Sequence, residues 1–258
     1  MKGISLLEMP FYLFLPKPPK MKKTSCLNCP TSTCYIKKYC PENWLSVVDE
    51  RKSQSVYQAN QIVIYEGNPV QGIHFILDGK VKVYFTGNNE KSQIVRFAND
   101  GHLLGHKGLG QNDFYPLSAS TMSKSVICHI TNDTLTQLFQ ANNDFVIGLM
   151  GFYSRELRKA EERIKNLTQM SVKEKIVEAL LMLCQNFGLN PHNEIDGVFS
   201  REDLAATSGS SVPQVASCLT ELERDELIER RGKHVIAILN LSGLKKLVED
   251  YNLHMGIL

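Results

Sequence analysis

The chain has 258 residues, 43% of them hydrophobic and 22% charged, which is the composition of a globular protein of about two domains. No apolar run approaches the roughly 20 residues of a membrane-spanning helix, and the proline-broken apolar start lacks a signal-peptide cleavage site. These features favour a cytoplasmic protein with no membrane partner. The net charge is only +2, yet residues 1–40 carry +6 and residues 169–258 carry −4. The first 24 residues are predicted to form a poorly ordered basic tail, in which Met21 is an alternative start to Met1.

Four of the seven cysteines fall within fifteen residues near the N-terminus. They are Cys26, Cys29, Cys34 and Cys40. Clustered cysteines in a chain without a secretion signal are typical of metal or redox ligands rather than of disulfides. Lys37 and Lys38 are expected to lower the pKa of the thiols and so favour thiolates. A zinc ion, an iron–sulfur cluster or simply a group of free thiols fits this pattern, and the spacing does not choose a metal.

The pattern changes twice along the chain. A short helix is predicted over residues 43–56, and from residue 55 to about 130 short β-branched runs alternate with glycine and asparagine turns. Strands at this spacing predict a barrel, roll or sandwich. Asp78-Gly79 between two such runs predicts a β-hairpin. After residue 131 the pattern becomes helical.

A long amphipathic helix is predicted from Asp144 to Leu167. Its apolar residues repeat with a mean step of 3.5, as in a coiled-coil seam, which predicts a dimerisation helix; an ordinary amphipathic helix within one domain is the alternative. The predicted seam consists of Val146, Met150, Tyr153, Leu157, Ala160, Ile164 and Leu167.

Further helices are predicted over residues 172–187, from Ser200 to Ser208 and from Ser211 onward. The last two, joined by a turn at Gly209, form a helix-turn-helix pattern. Two short strands around a basic turn follow, as in a wing. These features predict double-stranded DNA as a partner.

Three stretches together resemble the CRP/FNR transcription regulators. Residues 64–84 are similar to the start of that family's β-roll, Gly101-His102-Leu103-Leu104-Gly105 to its central turn, and residues 200–215 to its DNA-binding helices. The resemblance implies an α+β chain with an N-terminal cyclic-nucleotide-binding-like β-roll, a long dimerisation helix and a C-terminal winged helix-turn-helix. It further implies a homodimer that works with RNA polymerase. The corresponding segments are an N-terminal arm (1–41), a roll (42–143), a dimerisation helix (144–168) and a DNA-binding domain (169–258).

The FNR branch of the family fits best. Its sensors hold a [4Fe-4S]-type cluster with N-terminal cysteines and one cysteine at the end of the roll, where this chain has Cys128. Cys26, Cys29 and Cys34 match the N-terminal set, although the second gap is one residue shorter than in the family. Cys40 and Cys128 compete for the fourth place, and zinc is the alternative metal. For Cys128, the alternative is a free thiol packed in the roll.

The DNA-binding face departs from the family. Pro213 and Ser217 occupy positions where well-known members have a glutamate and an arginine, so the common bidentate arginine–guanine contact is absent there. Gln214 fits adenine, and Ser211 and Ser217 fit phosphate or base. The candidate DNA contacts are Arg201, Ser211, Pro213, Gln214, Ser217, Arg230, Arg231 and Lys233.

Other functions fit less well. cAMP is disfavoured because the glutamate of the family's nucleotide pocket is missing and no arginine lies between Arg96 and Arg155. Haem, with a histidine such as His106 as ligand, is a weaker option. A regulator that senses a small molecule in the roll or the redox state of its thiols is the main alternative, and a dimer whose winged helix binds protein is a third. No enzymatic constellation is present.

Overall fold

The computed structural model describes residues 23–87, 91–110 and 114–251. Its helices are α1 Tyr35–Tyr39, α2 Glu42–Arg51, α3 Asn132–Ala141, α4 Asn143–Gln169, α5 Val172–Phe187, α6 Arg201–Ser208, α7 Val212–Arg224 and α8 Leu241–Lys246. Its strands are β1 Ser53–Tyr57, β2 Ile62–Ile64, β3 Gly72–Asp78, β4 Val81–Thr86, β5 Ser92–Ala98, β6 Leu103–Leu104, β7 Ser118–Thr121, β8 Ser125–Thr131, β9 Ile228–Arg230 and β10 Ile236–Ile238. Most of the predicted basic tail, with Met1 and Met21, lies outside the described residues.

The first eight strands form two four-stranded antiparallel sheets. One sheet has the order β1-β8-β3-β6 and the other the order β2-β7-β4-β5. The alternation read from the sequence places Val81 and Val83 of β4 inward, where they pack with Ile76 and Ile127 of the opposite sheet. The predicted β-roll and the α+β class are confirmed.

The predicted hairpin at Asp78-Gly79 is wrong. β3 pairs with β6 and β8, whereas β4 pairs with β5 and β7, so the turn carries the chain from one sheet to the other. Gly79 adopts φ 131°, and a Cβ there would lie 2.1 Å from Ser125 Oγ. The glycine therefore serves a tight crossing against β8 rather than a two-residue hairpin loop.

The predicted long helix is α4, which runs for 27 residues. The side chain of Asn142 caps its start by accepting a hydrogen bond from Phe145 N at 3.1 Å. Phe145 and Leu149 are buried against the roll, whereas Leu157 and Ile164 are 62% and 64% exposed. Of the described helices, none is both long and apolar enough to cross a membrane.

The helices and strands from α5 onward form the domain that we call the reader. Serine residues with a partner three positions later make capping boxes at the starts of α5, α6 and α7. Gly209, with φ 64°, ends α6 in the left-handed conformation that the tight turn before α7 requires. Strands β9 and β10 pair antiparallel as the predicted wing.

The reader packs directly on the roll. Phe97 of β5 shares one apolar cluster with Phe187 and Phe199 of the reader, with ring centroids 5.5 Å and 6.5 Å from it. Polar contacts surround this cluster, including an ion pair at 2.6 Å between Lys82 Nζ and Asp203 Oδ1. The two parts therefore share a hydrophobic core.

Candidate functional site

Four cysteines line one cavity between the N-terminal arm and the roll. The cavity encloses about 410 Å³ of space, including its mouth to solvent, and its cysteines are Cys26, Cys29, Cys34 and Cys128. Cys34 directly precedes α1, and Cys128 lies in β8 directly opposite Phe75 of β3. The fold thus brings a cysteine of the roll to the three from the arm, although these are far apart in sequence.

A buried cation lies beside this cavity. The Lys52 ammonium donates to Cys26 Sγ at 3.0 Å and pairs with Asp49 Oδ1 at 2.8 Å. Asp49 Oδ1 also accepts from the backbone N–H of Cys26 at 2.9 Å, which fixes the start of the cysteine loop. On the roll side, the Gln54 amide donates to Cys128 Sγ at 3.3 Å.

The expectation that Lys37 and Lys38 favour thiolates is wrong. Lys37 Nζ donates to the carbonyl of Cys29 at 2.7 Å, and Lys38 lies over the Tyr39 ring. Burial raises the pKa of Cys26, Cys34 and Cys128 above its usual value, and at Cys26 the hydrogen bond from Lys52 only partly offsets this. Without a metal these three groups are protonated thiols at neutral pH.

Cys40 does not line the cavity. It is buried in the apolar cluster around Tyr35 and Leu45, where burial raises its pKa to about 12. Cys184 and Cys218 pack against the core of the reader, in keeping with a structural role. All seven cysteines are free thiols. The geometry therefore favours Cys128 over Cys40 as the fourth member of the set.

The cavity thiols are spaced around its wall rather than gathered at one point. Within residues 23–87, 91–110 and 114–251, no three His, Cys, Asp or Glu side chains converge closely enough to hold one metal ion. Instead, four soft donors lie in the wall of a cavity whose other lining is largely apolar, including Val48, Phe75 and Ile130. Four thiolates are the donor set of iron–sulfur clusters and also of structural zinc sites.

The cysteine arm is connected to α4 through α1. Tyr35 donates from its hydroxyl to the carbonyl of Phe145 at 2.9 Å, and the two rings meet edge to face at 5.0 Å. Gly148 makes the approach possible, because a Cβ there would lie 2.7 Å from the Tyr35 hydroxyl and from Tyr39 Cδ1. A movement of the cysteine loop would therefore displace α1 against the start of α4.

The roll contains a second cavity, which is lined by Arg96, His106, Lys107 and Tyr115 among others. Arg96 Nη1 pairs with Glu156 of α4 at 3.4 Å and is therefore already neutralised. His106 is 2% exposed, neither ring nitrogen has a partner within the described part of the chain, and burial lowers its pKa to about 3. Arg96, which lines this cavity from β5, is not among the pocket residues that the sequence predicts.

The predicted dimer seam is exposed at only some of its positions. Met150, Leu157 and Ile164 are more than 60% exposed and lie seven residues apart on one face of α4. Tyr153 packs instead on its own roll, against the His106 ring and with its hydroxyl bonded to the His106 carbonyl. The remaining seam residues, Val146, Ala160 and Leu167, are half-buried. Ile147, which the predicted seam omits, is 65% exposed beside Met150.

The candidate DNA contacts lie on one domain but differ in their freedom to bind. Those of the two helices, Arg201, Ser211, Pro213, Gln214 and Ser217, are exposed. In the wing, Lys233 is exposed, but Arg230 Nη2 lies 2.5 Å from Glu223 Oε2 and Arg231 Nη2 lies 2.6 Å from Glu229 Oε2. The reader's own carboxylates thus neutralise two of its predicted phosphate contacts.

Two family models match the chain: a cyclic nucleotide-binding domain over residues 54–142 and a Crp-like helix-turn-helix domain over residues 174–247. An anaerobic regulatory protein of Pasteurella multocida is 25% identical over 242 residues, covering 90% of this chain and 86% of the relative. The chain belongs to the CRP/FNR family of transcription regulators. It is a DNA-binding transcription regulator, with its helix-turn-helix domain over residues 174–247.

Two further members of the CRP/FNR family show the range of the likeness. The cAMP-activated global transcriptional regulator CRP of Salmonella typhimurium is 26% identical over 186 residues, covering 70% of this chain and 87% of the relative. The solved structure of FixK2 from Bradyrhizobium japonicum has a TM-score of 0.68 at 19% identity, over 76% of this chain and 96% of that one. The FixK2 likeness shows the fold alone.

Proposed function

We propose that the protein is a cytoplasmic, homodimeric regulator of the FNR branch that binds specific DNA sequences and is switched by an iron–sulfur cluster. The observation that carries the proposal is the cavity lined by Cys26, Cys29, Cys34 and Cys128. The match to the anaerobic regulatory protein covers 90% of the chain, against 70% for CRP. RNA polymerase is the partner that a regulator of this family needs.

The four thiols would hold the cluster, which supplies one-electron redox chemistry and reactivity towards oxygen or nitric oxide. Binding iron requires the thiols to lose their protons. Lys52 stabilises the resulting negative charge at Cys26, and the apolar lining limits access of water. α1 then passes any change in the cysteine loop to Phe145 and Gly148 of α4. A bistable packing of α4 against its partner would set the distance between two α7 helices on DNA.

The decisive experiment compares Cys128→Ser with Cys40→Ser in protein purified without oxygen. The wild-type protein is expected to contain iron and sulfide and to absorb in the visible range. Cys128→Ser should lose most of the iron and the absorption, because it removes a cavity thiol. Cys40→Ser should keep both, since Cys40 lies outside the cavity.

Two results contradict the proposal. Colourless wild-type protein with stoichiometric zinc would replace the cluster by a structural metal and leave a zinc-stabilised regulator. Loss of the colour in Cys40→Ser with retention in Cys128→Ser would exchange the two ligands and refute the cavity assignment.

A second candidate function rests on the cavity in the roll. Lys107 offers positive charge there to a small anionic effector, and the buried ring of His106 has no partner among the described residues. Such an effector would compete with Glu156 for Arg96 and so act on α4. Saturable binding of a small anion that alters DNA affinity in colourless protein would favour this regulator over the cluster sensor.

A further inference from the structure

The first turn of α7 is held by a hydrogen-bonded pair, Ser211 and Gln214. Oε1 of Gln214 accepts from Ser211 N at 2.8 Å and from Ser211 Oγ at 2.9 Å. A backbone N–H can only donate, so the end of the amide that faces the helix start must be its carbonyl oxygen. Both lone pairs of that oxygen are then in use.

The other end of the same amide is available. Gln214 is exposed, and no described residue accepts a hydrogen bond from its Nε2. The adjacent Val212 and Pro213 carry no polar side-chain group, and the Ser211 hydroxyl already donates within the cap. The two N–H groups of Gln214 are therefore the side-chain donors that the first turn of α7 presents to DNA.

The equivalent caps elsewhere in the reader use acids. Glu174 holds the start of α5 and Asp203 the start of α6. A carboxylate makes the same cap but has only acceptor oxygens and a negative charge, which DNA phosphates repel. At α7 the Gln214 amide makes the cap and still offers hydrogen-bond donors. An amide at this position therefore suits a helix that contacts DNA.

We propose that Gln214 reads the major groove as a hydrogen-bond donor only and selects guanine over adenine. Glutamine recognises adenine with one donor and one acceptor, and here the acceptor is held by Ser211. Guanine presents two adjacent acceptors, N7 and O6, which suit the free N–H groups. Adenine places its N6 amino group where the second N–H would need an acceptor. The structure thus reverses the base preference that the residue type alone predicts.

The test uses the full-length protein, prepared without oxygen and after exposure to air in parallel. Selection from random duplexes identifies the preferred site, and equilibrium binding then compares that site with guanine-to-adenine substitutions. Wild type should bind the guanine site about tenfold more tightly at one position. Gln214→Glu keeps the cap and the thermal midpoint but has no donors, so this ratio should fall to about one.

The control is Glu174→Gln, which makes the converse exchange in the cap of α5 and should leave the ratio unchanged. Gln214→Glu should remove the base selectivity at one position of the site. If wild type prefers adenine there, the proposal is overturned. An unchanged guanine ratio in Gln214→Glu, or the absence of any enriched site with wild type in both preparations, would also overturn it. Loss of the visible chromophore bears only on the cluster, because wild type and variant are compared in the same state.

Discussion

The arginines of the wing show how much the partner of a side chain matters. Arg230 donates to Glu223 of α7 from both Nε and Nη2, and Glu223 also accepts from the backbone N–H of Arg230. The pair ties the recognition helix to the wing and removes a positive charge from the DNA-facing domain. Together with the acidic total of residues 169–258, this predicts modest DNA affinity with a shallow dependence on salt.

Glu223→Gln is expected to raise DNA affinity. The amide oxygen can still accept from the backbone of Arg230, but the guanidinium is no longer neutralised and becomes available to a phosphate. The slope of log K against log salt should then steepen by about 1, and affinity should rise for specific and unrelated DNA alike. Fluorescence anisotropy titrations at several salt concentrations measure both effects.

Glu226→Gln is the matched control, because it makes the same change of charge at an exposed residue near the end of α7. Its slope should change by much less than 1. Equal slopes in the two variants would mean that Arg230 contacts no phosphate.

At the scale of secondary-structure elements, α1 approaches α4 most closely at a small residue, Gly148. Gly148→Ala should destabilise the fold by about 1–3 kcal/mol, because its Cβ would overlap the Tyr35 hydroxyl and the Tyr39 ring in a packed contact. Urea unfolding of wild type and variant measures the difference in the free energy of unfolding. The loss should include the arm, seen as faster alkylation of Cys26 and Cys34.

Gly151→Ala, one turn further along the same helix, provides the contrast. Its Cβ would meet only Arg155 Nη1 at 3.5 Å, so the higher helix propensity of alanine should stabilise the protein by about 0.5–1 kcal/mol. If both variants behave alike, the α1–α4 contact has no energetic weight.

The exposed face of α4 belongs to the same scale. Ile164→Glu should abolish dimerisation and DNA binding together, because it places a charge in an apolar seam. Sedimentation and a gel-shift assay measure the two properties. Lys165→Glu places the same side chain at a neighbouring exposed position off the seam and should remain dimeric. An Ile164→Glu protein that sediments as a dimer would show that the seam lies elsewhere.

The existence and type of these elements follow from local patterns, but their partners do not. The period of α4 predicts its length and its apolar stripe, yet only the packed roll shows that Tyr153 turns inward to His106 whereas Leu157 stays exposed. The Asp78-Gly79 turn has the sequence of a hairpin, but β3 takes its partners from distant β6 and β8. Pairing over long distances is not encoded in the turn.

The candidate site divides in the same way. The spacing of Cys26, Cys29 and Cys34 predicts a ligand loop, but it does not choose between Cys40 and Cys128 as the fourth ligand. The strand register separates them, because it directs Cys128 into the cavity. Similarly, the residue type of Gln214 allows several base contacts, and only its cap shows which end of the amide is free.

At the scale of the whole molecule, the contact between roll and reader combines apolar and charged parts. The Lys82–Asp203 pair is largely shielded from water. Although burial alone would raise it, the pKa of the Asp203 carboxyl is held below its usual value by the hydrogen bond and charge of Lys82. The stabilisation is therefore fully present above the unfolded pKa, near 4, and is lost as the pH falls through the lower folded value.

Lys82→Gln should lower the free energy of unfolding by about 1.5 kcal/mol at pH 7, and this difference from wild type should shrink as the pH falls below about 4. Urea unfolding at a series of pH values measures it. Lys80→Gln is the control: its partner Asp196 is 60% exposed, so its effect should stay below about 1 kcal/mol throughout. A gap for Lys82→Gln that stays constant as the pH falls below about 4 would refute the assignment.

The core shared by Phe97, Phe187 and Phe199 has a consequence for how the protein is made. The roll leaves the ribosome first. Ile94 and Phe97 then remain exposed, because the residues that cover them are synthesised much later. Until α5 and Phe199 emerge, the nascent chain exposes a hydrophobic surface of the kind that chaperones recognise. A chain truncated before α5 should therefore yield a roll that aggregates rather than one that stays in solution.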